Sequence, residues 1–311
     1  MPTADAVRLS VVVPAYNEAA FLPATLTSLA RQDYPGGYEV IVVDNASTDD
    51  TAAVAARHGA RVVHEASPGV CAARQAGTDA ARGAVVVSTD ADTVHPPDWL
   101  SRIDAAFAAS DSVVAVAGPC RYQHPSWWAR LYPALLFGAV AGFRRLTGRV
   151  VYVTATNTAF RRSAFPGYDT RLTQGGDELD LLRRLRGRGR VEWLSGNAVV
   201  TSPRRLEQGL LYTVFVSLLA QYLLGYLLNR ITSSTVVGMA PAFRPRPPTQ
   251  PSSSRAEVLA REVEPLELRE RSSSTIPPPP KNITPAARLP STVRSVIARR
   301  PSRPRASNPA Q

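Results

Sequence analysis

The sequence has few cysteines and no pattern typical of export. Cys71 and Cys120 are its two cysteines, and they stand too far apart to match a metal-ligand spacing. With so few cysteines, we expect a protein of a reducing compartment that is not built on disulfides. The N-terminal stretch MPTADAVRLS has no basic-then-apolar signal pattern, so we expect no secretion.

Two common phosphate-binding motifs are also missing from the 311 residues. No G-x-G-x-x-G follows the first apolar run, and no G-x-x-x-x-G-K-[ST] occurs anywhere. Because these motifs place backbone amides around phosphates, a dinucleotide fold or a P-loop is poorly supported.

The positive charge is concentrated in the C-terminal part. Residues 241–311 contain 13 basic and 5 acidic side chains, so they carry +8 of the formal net charge of +11. This part is rich in Pro and Ser, and we expect residues 240–311 to form a disordered basic tail. Such a tail suits an anionic membrane surface, although a tail without any partner fits equally well. No aromatic residue follows Phe243 to stack on bases, so we expect no nucleic-acid partner.

Apolar runs alternate with helix-like segments from residue 8 onward. The strand-like runs are RLSVVVPAYNE, YEVIVVDNAS, RVVHEASPG, AVVVSTDAD and SVVAVAG. Strands that are apolar throughout and alternate with helices predict a mostly parallel sheet covered on both faces. Sheets of this kind bind ligands at the carboxyl ends of their strands.

Two carboxylates follow the fourth of these runs, Asp90 and Asp92, only one residue apart. Close like charges repel each other, and a turn is the ordinary explanation for acids after a strand. A hard divalent cation would neutralise both charges, since it prefers oxygen ligands and shares its shell with substrate phosphates. The pair therefore indicates a site for a metal and a diphosphate at this edge of the sheet.

Five segments in the correct order resemble the family 2 glycosyltransferases with the GT-A fold. They are VVVPAYNEAAFLPATLTSLARQ, EVIVVDNASTDDT, GVCAARQAG, VVVSTDADT and GGDELDLLRRLRGRGR. The resemblance implies an α/β GT-A domain over residues 1–205, with a Rossmann-like, mostly parallel sheet flanked by helices. It also implies transfer of a sugar from a nucleotide diphosphate sugar to a hydroxyl acceptor, with inversion and with Mn²⁺ or Mg²⁺.

The family's motifs assign roles to matching residues of this chain. Those expected to contact the nucleotide sugar are Pro14, Tyr16, Glu18, Asp44, Ser47, Arg74 and Asp90. Asp92 is the expected direct metal ligand, with Asp90 beside it. For Glu18 the alternative is an ordinary acid at a helix start, and for Arg74 a solvated helix residue.

The expected catalytic pair is reversed in order. The family has Glu-Asp at a helix start, whereas this chain has Asp177-Glu178. We expect Glu178 to take the proton of the acceptor hydroxyl, and Asp177 to support it or to bind donor hydroxyls; both could instead be simple first-turn acids. Asn157 and Arg161 fall where the family receives its acceptor. The family's Gln-x-x-Arg-Trp motif of polymer synthases is absent after residue 178, which favours single additions.

Two apolar segments bear on the membrane. Residues 208–229 carry no charge and are long enough to span a bilayer, but a polar or small residue recurs every four positions, as in a packing helix. Residues 127–143 are shorter and interrupted by Pro133. The preferred interpretation is two helices on the cytoplasmic face of the membrane that hold a lipid-linked acceptor. A homodimer contact and a true span remain alternatives for 208–229.

The sequence thus predicts a GT-A domain at 1–205, a hydrophobic helix at 206–239 and a disordered tail at 240–311. The predicted protein is a cytoplasmic glycosyltransferase, peripheral or anchored at the inner face of the membrane. A sugar nucleotidyltransferase is one alternative, but its basic Gly-rich first loop has no counterpart in PAYNEAA. A scaffold that only binds nucleotides is the other.

Overall fold

The computed structural model describes residues 7–123, 127–170, 177–206 and 209. The hydrophobic helix predicted for 206–239 and the tail predicted for 240–311 therefore lie outside the described residues, apart from 206 and 209. Both remain predictions.

The main sheet has seven strands in the order β3-β2-β1-β4-β8-β6-β9. In chain order these strands are β1 (Leu9–Ala15), β2 (Tyr38–Asp44), β3 (Arg61–His64), β4 (Val85–Ser88), β6 (Val113–Ala117), β8 (Thr158–Arg161) and β9 (Arg190–Trp193). The helices are α1 (Leu22–Ala30), α2 (Thr51–Arg57), α3 (Val70–Ala80), α4 (Trp99–Ala108), α5 (Trp127–Thr147) and α6 (Asp177–Arg186).

The apolar runs form the centre of this sheet, as the sequence predicts. β1 pairs in parallel with both β2 and β4, and the valines of these strands are buried. Helices follow each of the first four strands of the main sheet or their loops, so the strands are covered and the predicted α/β class is confirmed. Helix α2 begins at Thr51, directly after Asp50.

The parallel pairing brings the carboxyl ends of four strands to one edge of the sheet. Ala15 pairs with Asp44 and Asp44 with His64, so β1, β2 and β3 end side by side. Strand β8 runs antiparallel to β4, with Thr158 beside Ser88 and Arg161 beside Val85. The start of β8 thus reaches the ligand-binding edge, while Arg161 lies at the opposite edge.

A second sheet of three short strands lies next to this edge, in the order β5-β10-β7. Its strands are β5 (Thr93–Val94), β7 (Cys120–Tyr122) and β10 (Val199–Thr201). β5 follows directly after Asp92 and pairs antiparallel with β10, with Thr201 opposite Thr93. This pairing brings residues just after 200 to the acidic pair, although more than 100 positions separate them in the chain.

The apolar segment at residues 127–143 lies within one continuous helix, α5, of 21 residues. Pro133 lies buried inside it, so the interruption expected at this proline is wrong. The helix buries one face through Ala129, Phe137 and Val140 and exposes large apolar residues on the other. Within the described ranges, no helix is both long and apolar enough to cross a membrane.

A buried histidine fixes the loop that carries the acidic pair. His95 is 1% exposed, and its Nε2 lies 2.8 Å from the Thr89 hydroxyl, while its Nδ1 lies 3.0 Å from the Ser28 hydroxyl. Its ring stacks on Trp99 with the centroids 4.1 Å apart. Thr89 precedes Asp90, so this chain of contacts ties the acidic loop to α1 and α4. Burial lowers the pKa of His95 to about 3, against an opposing effect of the Asp90 charge, so the ring is neutral.

The depressed pKa of His95 predicts a loss of stability in acid. Between the unfolded pKa of about 6.5 and the folded value of about 3, the unfolded chain binds a proton that the folded chain excludes. Stability is therefore complete above that window and falls as the pH falls through it, by about 2 kcal/mol from pH 6.5 to pH 5. Urea unfolding of His95→Gln at several pH values should show a flatter profile.

His58→Gln, which removes an exposed imidazole, is the matched control. Equal pH dependence of the His95→Gln and wild-type proteins would contradict the buried neutral state of His95.

Candidate active site

The first carboxylate of the acidic pair, Asp90, is held by Arg74 and Thr156. Arg74 on α3 is 5% exposed and donates from Nη2 to Asp90 Oδ1 over 3.1 Å. The Thr156 hydroxyl donates to Asp90 Oδ2 over 2.5 Å from the turn before β8. Three separate segments, namely α3, the acidic loop and the turn before β8, therefore meet at Asp90.

The second carboxylate, Asp92, is bound by Arg204, a residue that the sequence did not single out. Arg204 donates to Asp92 Oδ2 from Nη2 over 2.6 Å and from Nε over 3.1 Å. The Thr201 hydroxyl donates to the other oxygen, Oδ1, over 3.2 Å. Both donors come from the end of β10 or just after it, so the small sheet positions the partners of Asp92.

Arg204 also bridges to Glu18 in the loop after β1. Its Nη1 donates to both oxygens of Glu18 over 3.1 Å, and its Nη2 to Oε1 over 3.0 Å. The side chains of Glu18 and Asp92 are each 12% exposed, and that of Arg204 13%. The guanidinium carbon lies 4.4 Å from the centre of the Phe21 ring, which adds a cation–π contact.

These surroundings keep Arg204 charged. Burial alone lowers the pKa of the guanidinium, but the charges of Asp92 and Glu18 outweigh it and raise that pKa above its ordinary value. Removing either partner of an ion pair this far from water would destabilise the protein, because the remaining charge would be desolvated and unpaired. Arg204, Asp92 and Glu18 therefore act as one unit.

The loops after β1 and β2 are joined by side-chain-to-backbone hydrogen bonds. The backbone amide of Asn17 donates to Ser47 Oγ over 3.0 Å, and the backbone amide of Thr48 donates to the side-chain Oδ1 of Asn17 over 2.7 Å. Asn17 adopts φ 54°, a left-handed conformation that asparagine tolerates better than most residues. Tyr16 in the same loop is 41% exposed, and Pro14 is half-buried at the end of β1.

Asp44 lies at the end of β2 within this pair of loops. Its Oδ1 accepts from the Ser47 amide over 3.1 Å, and Oδ2 lies 3.1 Å from Nδ1 of the largely exposed His64. Asp44 and Ser47 are thus adjacent, as the expected nucleotide site requires, and His64 adds an imidazole that the sequence did not indicate.

The candidate base lies in the first turn of α6. Asp177 and Glu178 open this helix, where the positive end of the helix dipole favours acids. Burial chiefly raises the pKa of Tyr152 well above its ordinary value, and the nearby negative charge of Glu178 adds to the effect. The phenol of Tyr152 is therefore a neutral neighbour of Glu178. Asp180, one turn along, pairs with Arg183 and Arg184.

Arg161 and Asn157, the residues expected to contact the acceptor, both form hydrogen bonds to other parts of the fold. Arg161 lies at the opposite edge of the sheet, where it donates to the carbonyls of Phe107 and Val113, so this position does not support the acceptor role expected for it. Asn157 is 2% exposed and accepts from Trp99 Nε1 over 2.9 Å. Its Nδ2 donates to the carbonyls of Pro119 and Asn197. Asn157 is thus engaged inside the protein, which indicates a structural role.

The acidic pair has the chemistry of a divalent-metal site, but the protein alone provides few ligands. Carboxylate oxygens suit Mg²⁺ and Mn²⁺, and Asp90 and Asp92 supply them at the sheet edge. Among the described residues, no group of three His, Cys, Asp or Glu side chains could hold a metal ion. A metal held by the two aspartates would need further oxygen ligands from outside these side chains, and Arg204 now engages Asp92.

The large, mostly parallel sheet flanked by helices matches the GT-A fold. The sequence model of Glycosyl transferase family 2 matches residues 10–168. An uncharacterized glycosyltransferase of Mycobacterium tuberculosis is 37% identical over 182 residues, which cover 58% of this chain and 80% of that protein. The chain belongs to glycosyl transferase family 2.

This chain is also similar to two proteins that are named for particular reactions. An undecaprenyl-phosphate 4-deoxy-4-formamido-L-arabinose transferase of Aeromonas hydrophila is 35% identical over 140 residues, covering 42% of each chain. The glucosyl-3-phosphoglycerate synthase of M. tuberculosis, solved with Mn²⁺, UDP-glucose and phosphoglyceric acid, aligns with a TM-score of 0.52. It is 21% identical, and the alignment covers 76% of this chain and 81% of that one. The likeness to this synthase shows the shared fold.

The position of Asn157 predicts a structural role. Replacing it by alanine leaves the Trp99 indole and the buried Asn197 carbonyl without this partner, while the Pro119 carbonyl keeps the Val199 amide. The free energy of unfolding should therefore fall by about 2 to 4 kcal/mol. Urea unfolding measures the change. An Asn157→Ala protein as stable as the wild type would contradict this role.

Proposed function

We propose that this protein transfers a single sugar from a nucleoside diphosphate sugar to an acceptor hydroxyl, with inversion at the anomeric carbon. The observation that carries the proposal is the sheet edge where Asp90 and Asp92 meet Arg74 and Arg204. Carboxylates and guanidinium groups at the carboxyl ends of parallel strands suit a diphosphate and its metal. Membership of the glycosyl transferase family supports this reading.

The donor is proposed to lie along the edge from β3 to β4. Asp44, whose Oδ1 accepts from the Ser47 backbone amide, would contact the nucleoside together with Ser47, and Tyr16 is exposed in the neighbouring loop. Arg74 would lie near the diphosphate, because it already reaches the acidic pair. The M. tuberculosis synthase of the same fold was solved with UDP-glucose, which favours a uridine nucleotide as the first donor to test.

A divalent cation, Mn²⁺ or Mg²⁺, is proposed to bind at Asp92 and Asp90. When bound, it would neutralise the negative charge that grows on the diphosphate as it leaves. The likeness to a synthase solved with Mn²⁺ supports this cofactor, as does the hard oxygen chemistry of the two carboxylates.

Glu178 is proposed to deprotonate the acceptor hydroxyl, which then attacks the anomeric carbon from the face opposite the leaving diphosphate. The C–O bond to the acceptor forms as the bond to the diphosphate breaks, and the proton passes to the Glu178 carboxylate. Its place at the start of a helix, beside the buried phenol of Tyr152, keeps a carboxylate in a partly enclosed position. Asp177 is proposed to assist it.

Replacing Glu178 by glutamine removes the proposed base and keeps the size of the side chain. Turnover should fall about 100-fold or more, while nucleotide binding is retained, because general base catalysis contributes on this scale. The measurement is release of nucleoside diphosphate from UDP-sugars, with the anomeric configuration of the product determined by NMR. Asp177→Asn is the matched variant and should lose less activity.

Wild-type turnover in both variants would contradict the assignment of the base, and retention at the anomeric carbon would contradict the inverting mechanism. Nucleotide binding without turnover in the wild type would favour a binding scaffold instead.

The acceptor is proposed to be lipid-linked and reached at an anionic membrane surface, with α5 as the contact. Along its outer face Trp127, Leu131 and Leu135 are 75%, 50% and 64% exposed, and Leu146 is 87% exposed near its end. An apolar stripe of this length is unusual on a surface without a partner. Exposed Arg130 and Arg145 lie on the same helix and suit anionic head groups. A relative named for an undecaprenyl-phosphate substrate supports a lipid acceptor.

Leu131→Glu combined with Leu135→Glu should weaken binding to vesicles that contain anionic phospholipid at least tenfold. The two charges would have to enter the head-group boundary, where apolar burial is the main attraction. Vesicle flotation measures binding, and Ala53→Glu with Ala56→Glu on exposed positions of α2 is the control of equal charge. Equal flotation of both double variants would contradict the role of α5, and a change of oligomeric state alone would indicate a dimer contact.

A further inference from the structure

Arg204 occupies the carboxylate that is proposed to bind the metal. Two of its nitrogen atoms donate to Asp92 Oδ2, at 2.6 and 3.1 Å, and the Thr201 hydroxyl donates to Oδ1. Each oxygen of Asp92 is therefore engaged by a donor from the end of β10 or from the segment that follows it. A cation that binds at Oδ2 has to take the place of the guanidinium.

The guanidinium performs electrostatically what a divalent cation would do at this edge. It compensates Asp92 and, at the same time, Glu18, two carboxylates that are each 12% exposed. Buried carboxylates need a counter-charge, and in this arrangement the chain supplies it. The carboxylate site is thus stable without metal, because Arg204 fills the need that would otherwise attract an ion.

We propose that Arg204 is a built-in competitor of the divalent cation at Asp92, so that metal binds there only as the guanidinium moves off this carboxylate. The inference rests on the proposed function, since it takes the metal site at Asp92 from it. It adds a specificity-determining residue to that site. Arg204 keeps Asp92 closed to free metal, and a phosphate-bearing ligand, which offers the guanidinium new acceptor oxygens, opens it.

This coupling has a direct consequence for the order of binding. Without nucleotide, Mn²⁺ has to break the Arg204 pair with no compensation, so its affinity for the wild-type chain is low. With a nucleoside diphosphate present, the guanidinium can pair with phosphate oxygens as the metal takes Asp92. The metal and the nucleotide therefore bind cooperatively, and binding of Mn²⁺ in the absence of nucleotide is suppressed.

The test measures Mn²⁺ binding to the full-length chain by electron paramagnetic resonance of the free ion, first without nucleotide. Arg204→Gln should bind Mn²⁺ at least tenfold more tightly than the wild type, equivalent to about 1.4 kcal/mol. Asp92→Asn in the Arg204→Gln background should remove this gain. Arg102→Gln, which breaks the exposed pair with Asp98, is the matched control and should leave the Mn²⁺ affinity unchanged.

Arg204→Lys is the second variant, for the case that the loss of charge prevents folding. A lysine cannot engage Asp92 and Glu18 with a planar fork. The Mn²⁺ affinity of the Arg204→Lys protein should therefore also exceed that of the wild type, by a smaller factor than in Arg204→Gln. Unchanged or weaker Mn²⁺ binding in both Arg204 variants overturns the inference.

A second titration with UDP separates the inference from the proposed function. If wild-type protein binds Mn²⁺ with UDP through Asp92 while neither Arg204 variant gains affinity for Mn²⁺ alone, the metal site stands and the competition fails. If no protein binds Mn²⁺ with or without UDP, the metal site itself fails, and the inference with it.

Discussion

The whole ligand edge depends on compensation of carboxylate charge. Asp90 and Asp92 stand one residue apart after a buried strand, and Glu18 approaches from the loop after β1. In water such charges would be tolerable, but here two of the three side chains are nearly buried. Two arginines resolve the conflict: Arg74 pairs with Asp90 and Arg204 with both Asp92 and Glu18. The positions of α3, of the small sheet and of the first loop are all constrained by these pairs.

The fold supplies each counter-charge from a different element. Arg74 comes from a helix that covers the main sheet, whereas Arg204 comes through a strand of the small sheet that pairs with the residues right after Asp92. Behind them, neutral His95 and Asn157 tie the acidic loop and the turn before β8 to α4. This buried polar support gives the edge a defined shape, because each of its hydrogen bonds would be costly to leave unmade.

The sequence was sufficient for the fold class and for the part of the site that lies on consecutive strand ends. The apolar runs around Val12, Val42 and Val86 identify parallel strands, and their order places Asp44 and Asp90 at one edge. Arg204 could not be found in this way, since its partner is 112 positions earlier and nothing in TSPRRL marks a site residue. The position of Arg161 could not be predicted for a related reason: only the antiparallel direction of β8 places it beside Val85, at the edge opposite the acidic pair.

The most direct test of the account is a thermal-shift panel of nucleoside diphosphates on this protein, with and without Mn²⁺. A ligand that binds only the folded state raises its melting temperature, by an amount that grows with concentration over Kd. We expect that one nucleoside diphosphate stabilises the protein, that the shift requires the metal, and that Asp92→Ala loses it. An absence of any metal-dependent shift, or an equal shift in Asp92→Ala, would contradict the assignment of this sheet edge as the donor site.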